Sequence, residues 1–561
     1  MSTHFSEFPY RRLSAEEVEH SVNRVLKDFQ NAEDVEEQVE VLRKWDQHQK
    51  EWDDYGSISY VHFSQNTADK HAKKEKDFYD SLSPVIKGEK QKIIKNILRS
   101  PYRKNLETRF GKNLFDRWEL SLQAFDTKII DNKRSESKLI SRYTALLSQT
   151  KIPFRGKERT LSTMSPFYSS SDRSTRKEAR IAQDKAFERH ADTLDDIYDQ
   201  MVKLRHRMAL DMGYASYTEM AYAELSRTDY DKEDVAEFRR QIANDLLPIT
   251  QNILDKRAQR LGVDSYQFYD EGLMDPQGEI EPKGTHDWML EQAQIMFSEM
   301  GDDFGSFFSM MRERGLMDLK SRENKSRGGY CALFSSQGAP FIFANFNGTQ
   351  GDVRVFTHEC GHAFQCYQSK DVPLSDLIWP TMEAAEIHSM SLEFLTYPWM
   401  HLFFKEDTDR FIQSHLERAL IFIPYGVAID EFQHLVYENP DATPADRAKM
   451  WKDVEQRYLP HRKYEDLPYF GSGRFWQRQG HLYIRPFYYI DYFLAQTCAL
   501  QFWSIAEQDR DDAMKRYRSL CKLGGTQPFT QLLKAVKLRS PFEPGAIQFA
   551  IQAPLQYLSD Q

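Results

Sequence analysis

The residues with the types and spacing for chemistry lie close together in the chain. His358-Glu359-Cys360-Gly361-His362 has the form H-E-x-x-H. Residues four apart share one face of an α-helix, so both imidazoles can reach one Zn2+ at about 2.0–2.1 Å. Glu359 stands beside the first histidine, where it can reach a metal-bound water rather than the metal. On an ordinary amphipathic helix the same residues would face solvent. Here Val355, Phe356, Ala363 and Phe364 make the surroundings apolar, and buried polar groups need partners. A catalytic zinc takes a third protein ligand and keeps one position open. The segment Thr381–Thr396 offers Glu383, Glu386, His388 and Glu393. The three glutamates fall near one helical face, and spacing alone does not choose among them. Those that do not ligate could orient the histidines. Cys360 lies two residues from each histidine, off their face, and reads as packing.

These residues need elements to hold them. Thr349 or Asp352 can cap a helix beginning near Val353. Upstream, Gly328–Cys331 and Pro340–Phe346 read as two short strands joined by a turn, whose exposed edge could pair with an extended peptide. Gly348 and Gly351 could form a flexible joint. Elsewhere the helical period dominates. Ser14-Ala-Glu-Glu17 is a capping box, and Val35, Val39 and Leu42 recur on one face behind it. Leu194, Ile197, Met201, Leu204 and Met208 form a stripe that Gly213 stops. Alternation appears only at Ile152–Leu161 and Phe341–Phe346, which predicts a mainly α protein with a few short strands. Ser165–Ser174 and Asp275–Gly284 are rich in turn formers and read as loops or boundaries.

The chain has 561 residues, with 75 Lys+Arg against 85 Asp+Glu, a net charge of −10. That balance argues against broad nucleic-acid binding, which needs a basic footprint. Five cysteines without CxxC spacing point to free thiols in a reducing compartment. The N-terminus has no apolar signal-like core. The longest apolar stretch, Ala419–Ile429, contains Pro424 and Gly426, whereas a membrane-spanning helix needs about 20 residues. These features predict a cytoplasmic enzyme with no membrane or nucleic-acid partner.

The zinc segment resembles the thimet oligopeptidase / oligoendopeptidase F family of zinc metallopeptidases, and most of all the Pz-peptidase-like oligoendopeptidases. The likeness lies in HECGHAFQ, WPTMEAAEIHSMSLEF and PYGVAIDEFQHLVYENP, and is clearest from about Leu204 onward. The family's second motif is E-x-x-S-x-x-x-E, and only Glu386, Ser389 and Glu393 fit it. The resemblance therefore implies one Zn2+ per chain held by His358, His362 and Glu386. It implies Glu393 as a carboxylate behind a histidine, and Glu383 as a neighbour without a metal bond. It implies Glu359 as general base towards a zinc-activated water. Gly480–Tyr492 is similar to the family's H…YYxxY region, which implies His481, Tyr489 and Tyr492 as substrate and transition-state donors. Tyr483 and Tyr488 are alternatives one register away. The implied fold is a two-lobed helical ellipsoid with a deep central channel and a small β-sheet beside the zinc-binding helix. On that basis residues 1–200 form an N-terminal helical lobe and 201–561 the catalytic domain. The implied activity is endopeptidase cleavage of short, unfolded peptides.

A rival from another class uses some of the same residues. Glu359-x-x-His362 and Glu431-x-x-His434 are both E-x-x-H pairs, as in ferritin-like di-iron carboxylate oxidases. That reading leaves His358 unused, and Pro424 and Gly426 would interrupt its bundle helix. A scaffold that binds peptides without cleaving them is a third reading, and Glu359 argues against it because its role is purely chemical.

Overall fold

The computed structural model describes residues 3–560. Helix accounts for 71% of the residues, with one two-stranded and one three-stranded sheet among the described residues. The chain forms two compact units, each gathered from three separate lengths. The first takes residues up to 122, 281–408 and 498–539; the second takes 123–280, 409–497 and those from 540 on. The division expected from the sequence, 1–200 and 201–561, is contiguous, and these units are not. Partners far apart in the chain explain the difference. Leu374 and Leu377 complete the core of the first hundred residues, and Asn113 donates to the Gly525 carbonyl at 3.0 Å. The Asp275–Gly284 stretch does contain one of the crossings.

In the first unit, α1 (Ala15–Asn31) begins at the predicted capping box. The Ser14 N–H donates to Glu17 Oε2 at 2.7 Å, and the Glu17 N–H donates to Ser14 Oγ at 3.1 Å. Val18, Val22, Val25 and Phe29 bury its apolar face against α2 (Val35–Gln65) and α3 (Lys70–Leu98). Three strands follow: β1 (Met317–Lys320), β2 (Tyr330–Phe334) and β3 (Ala339–Phe346). β3 lies in the middle, parallel to β1 and antiparallel to β2. Its residues from Ala339 to Ala344 are all buried, so it is a central strand covered on both faces rather than the half-exposed strand its alternation predicts. Between β1 and β2 the buried Lys325 ammonium donates to the Ala344 carbonyl at 2.6 Å and to Asp318 Oδ1 at 2.8 Å, pinning the edge strand's entry. The chain then runs into α4 (Gln350–Gln368), α5 (Met382–Leu395) and, later, α6 (Arg510–Leu523).

In the second unit the predicted stripe is buried along the helix Ala191–Met212, and Gly213 ends it with φ of 90°, a conformation suited to glycine. The alternation at Ile152–Leu161 is a hairpin, Ile152–Phe154 against Lys157–Arg159. Pro424 and Gly426 do not interrupt their helix, which runs from Thr408 to Glu438. At Gly426 an added Cβ would lie 1.8 Å from the Phe493 ring, so the missing side chain is where that aromatic packs. The run Tyr397–Glu438 is long and apolar enough to cross a membrane, but 78% of its most apolar window is buried inside the protein, as in a core helix.

Candidate active site

Helix α4 starts three residues earlier than its sequence suggests. Thr349 occupies the N-cap, but its hydroxyl donates to Asn347 Oδ1 at 2.7 Å and accepts no N–H from the helix's first turn. The Asp352 carboxylate instead accepts from the Asn347 N–H at 3.0 Å and the Gly348 N–H at 2.7 Å. Gly348 has φ of 88°, so this joint is a fixed turn tied to the helix. At the other end, the Gln365 amide donates to the Ile378 carbonyl at 2.8 Å, which fastens the connection to α5.

The two helices touch backbone to backbone. A Cβ added at Gly361 would stand 2.5 Å from the His388 carbonyl oxygen and 2.6 Å from Ser389 Cα. Only a glycine facing a small residue permits that approach. It brings the carboxylate of Glu386 to the two histidines, with Oε2 3.3 Å from His358 Nε2 and 3.6 Å from His362 Nε2. Ser389 Oγ donates to the same carboxylate oxygen at 3.1 Å. Behind the site, His358 Nδ1 lies 2.7 Å from Glu393 Oε1. A proton kept there leaves the Nε2 lone pair free to ligate.

His358, His362 and Glu386 each offer one donor atom, all within 4.8 Å of one another, and they are the group able to hold a metal among the described residues. A tetrahedral ion with arms of about 2.0–2.1 Å separates neighbouring donors by roughly 3.3–3.4 Å, close to the distances found. The donor set therefore fits zinc. Glu383 and His388, the other candidates on α5, are not in this group. Both are buried, and the His388 carbonyl accepts from the Tyr517 hydroxyl on α6 at 2.9 Å.

Glu359 is 7% exposed, and its carboxylate has no hydrogen-bonding or ionic partner among the described residues. Gly329, leading into β2, lies against it; a Cβ there would meet Glu359 Oε1 at 3.3 Å. Burial raises its pKa, and the nearby His358 and His362 oppose that shift. Glu386 is held well below the usual carboxylate range; burial opposes this, but the two histidines outweigh it. Cys360 is fully buried, and burial pushes its thiol far up, in keeping with a packing role.

The other predicted residues lie in the second unit and form one aromatic group. The His481 ring centroid is 4.7 Å from that of Tyr489, 5.9 Å from Tyr488 and 6.0 Å from Tyr492. Gln479 Nε2 donates to His481 Nδ1 at 2.6 Å, while Tyr425 donates to Gln479 Oε1 at 3.1 Å. This leaves His481 Nε2 as the ring's N–H. Tyr483 is elsewhere, fully buried and stacked on Tyr143 at 3.8 Å, so that alternative is a core residue. The turn before Tyr488 is strained. Phe487 has φ of 62°, costly for a bulky residue. Its carbonyl accepts from Arg227 at 2.7 Å and its N–H donates to Gln433 Oε1 at 2.7 Å. Neither clamp is legible in the sequence, because Gln433 comes from the helix Thr408–Glu438 and Arg227 from a loop, both far away in the chain.

Two family models match the chain: "Peptidase family M3" over residues 167–549 and "Peptidase M3 N-terminal domain" over 5–125. The chain belongs to peptidase family M3. Solved M3-like structures agree. PZ peptidase A with an inhibitor is 43% identical, with 99% of each chain covered and a TM-score of 0.93. A protein provisionally assigned as an oligoendopeptidase F, from Bacillus anthracis str. Ames, is 40% identical, covering 100% of this chain and 99% of that one, with a TM-score of 0.89. Oligoendopeptidase-F from Enterococcus faecium is 13% identical over 97% of each chain with a TM-score of 0.62, a likeness of fold alone. Among curated proteins none matches. Membership of M3 makes this chain a metallopeptidase with the mainly helical M3 fold. The di-iron reading loses its support. The Glu431 carboxylate is taken by Arg457 and Tyr458, and His434 Nε2 faces Asp430 at 3.5 Å and the Tyr222 hydroxyl at 3.4 Å.

Proposed function

We propose that this M3 peptidase is a zinc-dependent endopeptidase that hydrolyses internal bonds of short, unfolded peptides in the cytoplasm. One observation carries the reading: His358, His362 and Glu386 each bring one donor atom within 4.8 Å of the others, beside a glutamate whose carboxylate has no other partner among the described residues. A zinc ion held there supplies Lewis acidity, acidifying a water and polarising a carbonyl. Glu359 takes the attacking water's proton on its carboxylate and returns it to the leaving amine. With no hydrogen bond to break, it can do both. Glu393 keeps His358 Nδ1 protonated and its ring oriented. On the family resemblance, His481, Tyr489 and Tyr492 donate to the oxyanion as charge develops; the Gln479 bond supports this by leaving His481 Nε2 as a donor. The outer edge of β2 has no strand partner among the described residues and suits an extended peptide. All five cysteines are free thiols, which supports a reducing compartment.

The test is mass spectrometry of a mixed peptide pool after digestion, with and without a chelator, together with metal analysis. Internal cuts in short peptides, lost on chelation and restored by zinc, with one zinc per chain, are expected. Cleavage indifferent to chelation, or two irons per chain, would sink the proposal.

A further inference from the structure

Three guanidinium groups share two aromatic rings in the second unit. Phe268 and Phe475 have centroids 5.0 Å apart. Arg180 Cζ lies 4.9 Å from the Phe268 ring and 3.9 Å from that of Tyr168. Arg462 Cζ lies 5.6 Å from Phe268 and 4.6 Å from Phe475, and Arg478 Cζ lies 4.7 Å from Phe475. Arg462 is answered by Glu271, with bonds of 2.8 and 3.0 Å. Arg180 and Arg478 have no carboxylate partner among the described residues. Arg180 is 8% exposed. Among the described residues it donates to the Gln183 amide oxygen at 2.9 Å, while its Nε and the Tyr168 hydroxyl are buried without a hydrogen-bond partner there. Burial, and then the charge of Arg478, push the Arg180 pKa down to about 9. A buried, unanswered guanidinium beside a second one is unfavourable, and buried donors without acceptors call for an explanation.

The cluster is continuous with the His481 group. Arg462 Cζ is 5.1 Å from the Tyr425 ring. That ring is 6.1 Å from Tyr489, and its hydroxyl holds Gln479, the residue after Arg478. We propose that Arg180, Arg478 and the Tyr168 hydroxyl form a subsite for a carboxylate of the peptide substrate. The inference rests on the endopeptidase reading above. An anionic group placed there would accept charge-assisted hydrogen bonds, which are shorter and stronger than neutral ones. Two sources share this chemistry: the C-terminal carboxylate and an acidic side chain near the C-terminus.

The experiment uses the full chain and three fluorescein-labelled peptides of one neutral sequence: the free acid, the amide, and an amide carrying one glutamate near its C-terminus. Fluorescence anisotropy with the chelated, non-cleaving protein reads binding, and kcat/KM with the zinc-loaded protein reads turnover. Whichever carboxylate is the source should give binding about 10- to 100-fold tighter than the neutral amide. Arg478→Gln and Arg180→Gln should each erase that ratio. Arg180 is buried and its variant can fail to fold; the half-buried Arg478 then carries the test alone, with circular dichroism as the folding control. Equal affinity for all three peptides, or a ratio that survives in folded Arg478→Gln, overturns the subsite. Failure of the endopeptidase reading shows separately, as no cleavage of any peptide with zinc present, because anisotropy reads the subsite without turnover.

Discussion

Replacing Gly361 by alanine should dismantle the metal site without touching a ligand. The new methyl would stand 2.5 Å from the His388 carbonyl oxygen and 2.6 Å from Ser389 Cα. Both neighbours are backbone atoms of α5 and cannot swing aside. Ordinary contact begins at 3.4 Å, so α4 and α5 must part by about 0.9 Å, the difference between 3.4 and 2.5. Glu386 rides on α5 and the histidines on α4, so separations of 3.3 and 3.6 Å would open to roughly 4.2–4.5 Å, against the 3.3–3.4 Å a tetrahedral ion spans. Overpacking of this kind costs about 1–3 kcal/mol, and a misplacement near 1 Å in a reactive constellation costs on the order of 10²-fold in rate. Zinc affinity by chelator competition, kcat/KM and a thermal melt give three readings from one variant. Native zinc affinity and full activity in Gly361→Ala would refute the claim that this crossing sets the ligand geometry.

The remaining expectations follow from the same cluster. Glu359→Gln should keep its zinc and lose about 10²–10⁴-fold in kcat; full turnover would remove its role as base. Glu386→Gln should lose zinc while Glu383→Gln retains it, as read by metal analysis after dialysis; the reverse would transfer ligation to Glu383. In the metal-free chain burial opposes protonation of His358, but its bonds to Glu386 and Glu393 raise its pKa well above 6.5. A folded-state pKa raised in this way gives stability that is complete below about 6.5 and is lost as pH rises through the folded value. Zinc takes the Nε2 position from the proton, so adding zinc to the apo chain at pH 7 should release about one proton per ion from His358, measured with an indicator dye. No release would show that His358 is already neutral.

What the sequence disclosed and what it withheld divide along physical lines. His358 and His362 are four residues apart on one helix, so their convergence is local and readable. The choice of Glu386 over Glu383 and Glu393 depends on how α5 is rotated against α4. That rotation is set by the contact of Gly361 with His388 and Ser389, which no periodicity shows; the family motif supplied what spacing did not. The capping box at Ser14 and the stripe ending at Gly213 were legible for the same local reason. The course of the helix through Pro424 was not, because it depends on tertiary packing such as that of Phe493 against Gly426. Arg180 and Arg478 gave no signal at all. Arg180, on the charged helix Arg173–Glu188, reads as a solvated residue, and the rings that cover it arrive from Tyr168 and Phe268; half-buried Arg478 stands in a short turn whose closeness to Arg180 no spacing shows.

The interleaving of the first unit has a consequence for how the protein is made. The histidines and Glu386 leave the ribosome long before α6, yet Tyr517 on α6 is what holds the His388 carbonyl, at the turn of α5 that meets Gly361. Until the segment 498–539 emerges, α5 lacks that support. A chain stopped at residue 497 is expected to bind zinc far more weakly than the finished one, which equilibrium dialysis can measure. On that expectation, a copy of this peptidase cut short before α6 is inert, and the nascent chain is spared its own activity until that helix has been translated.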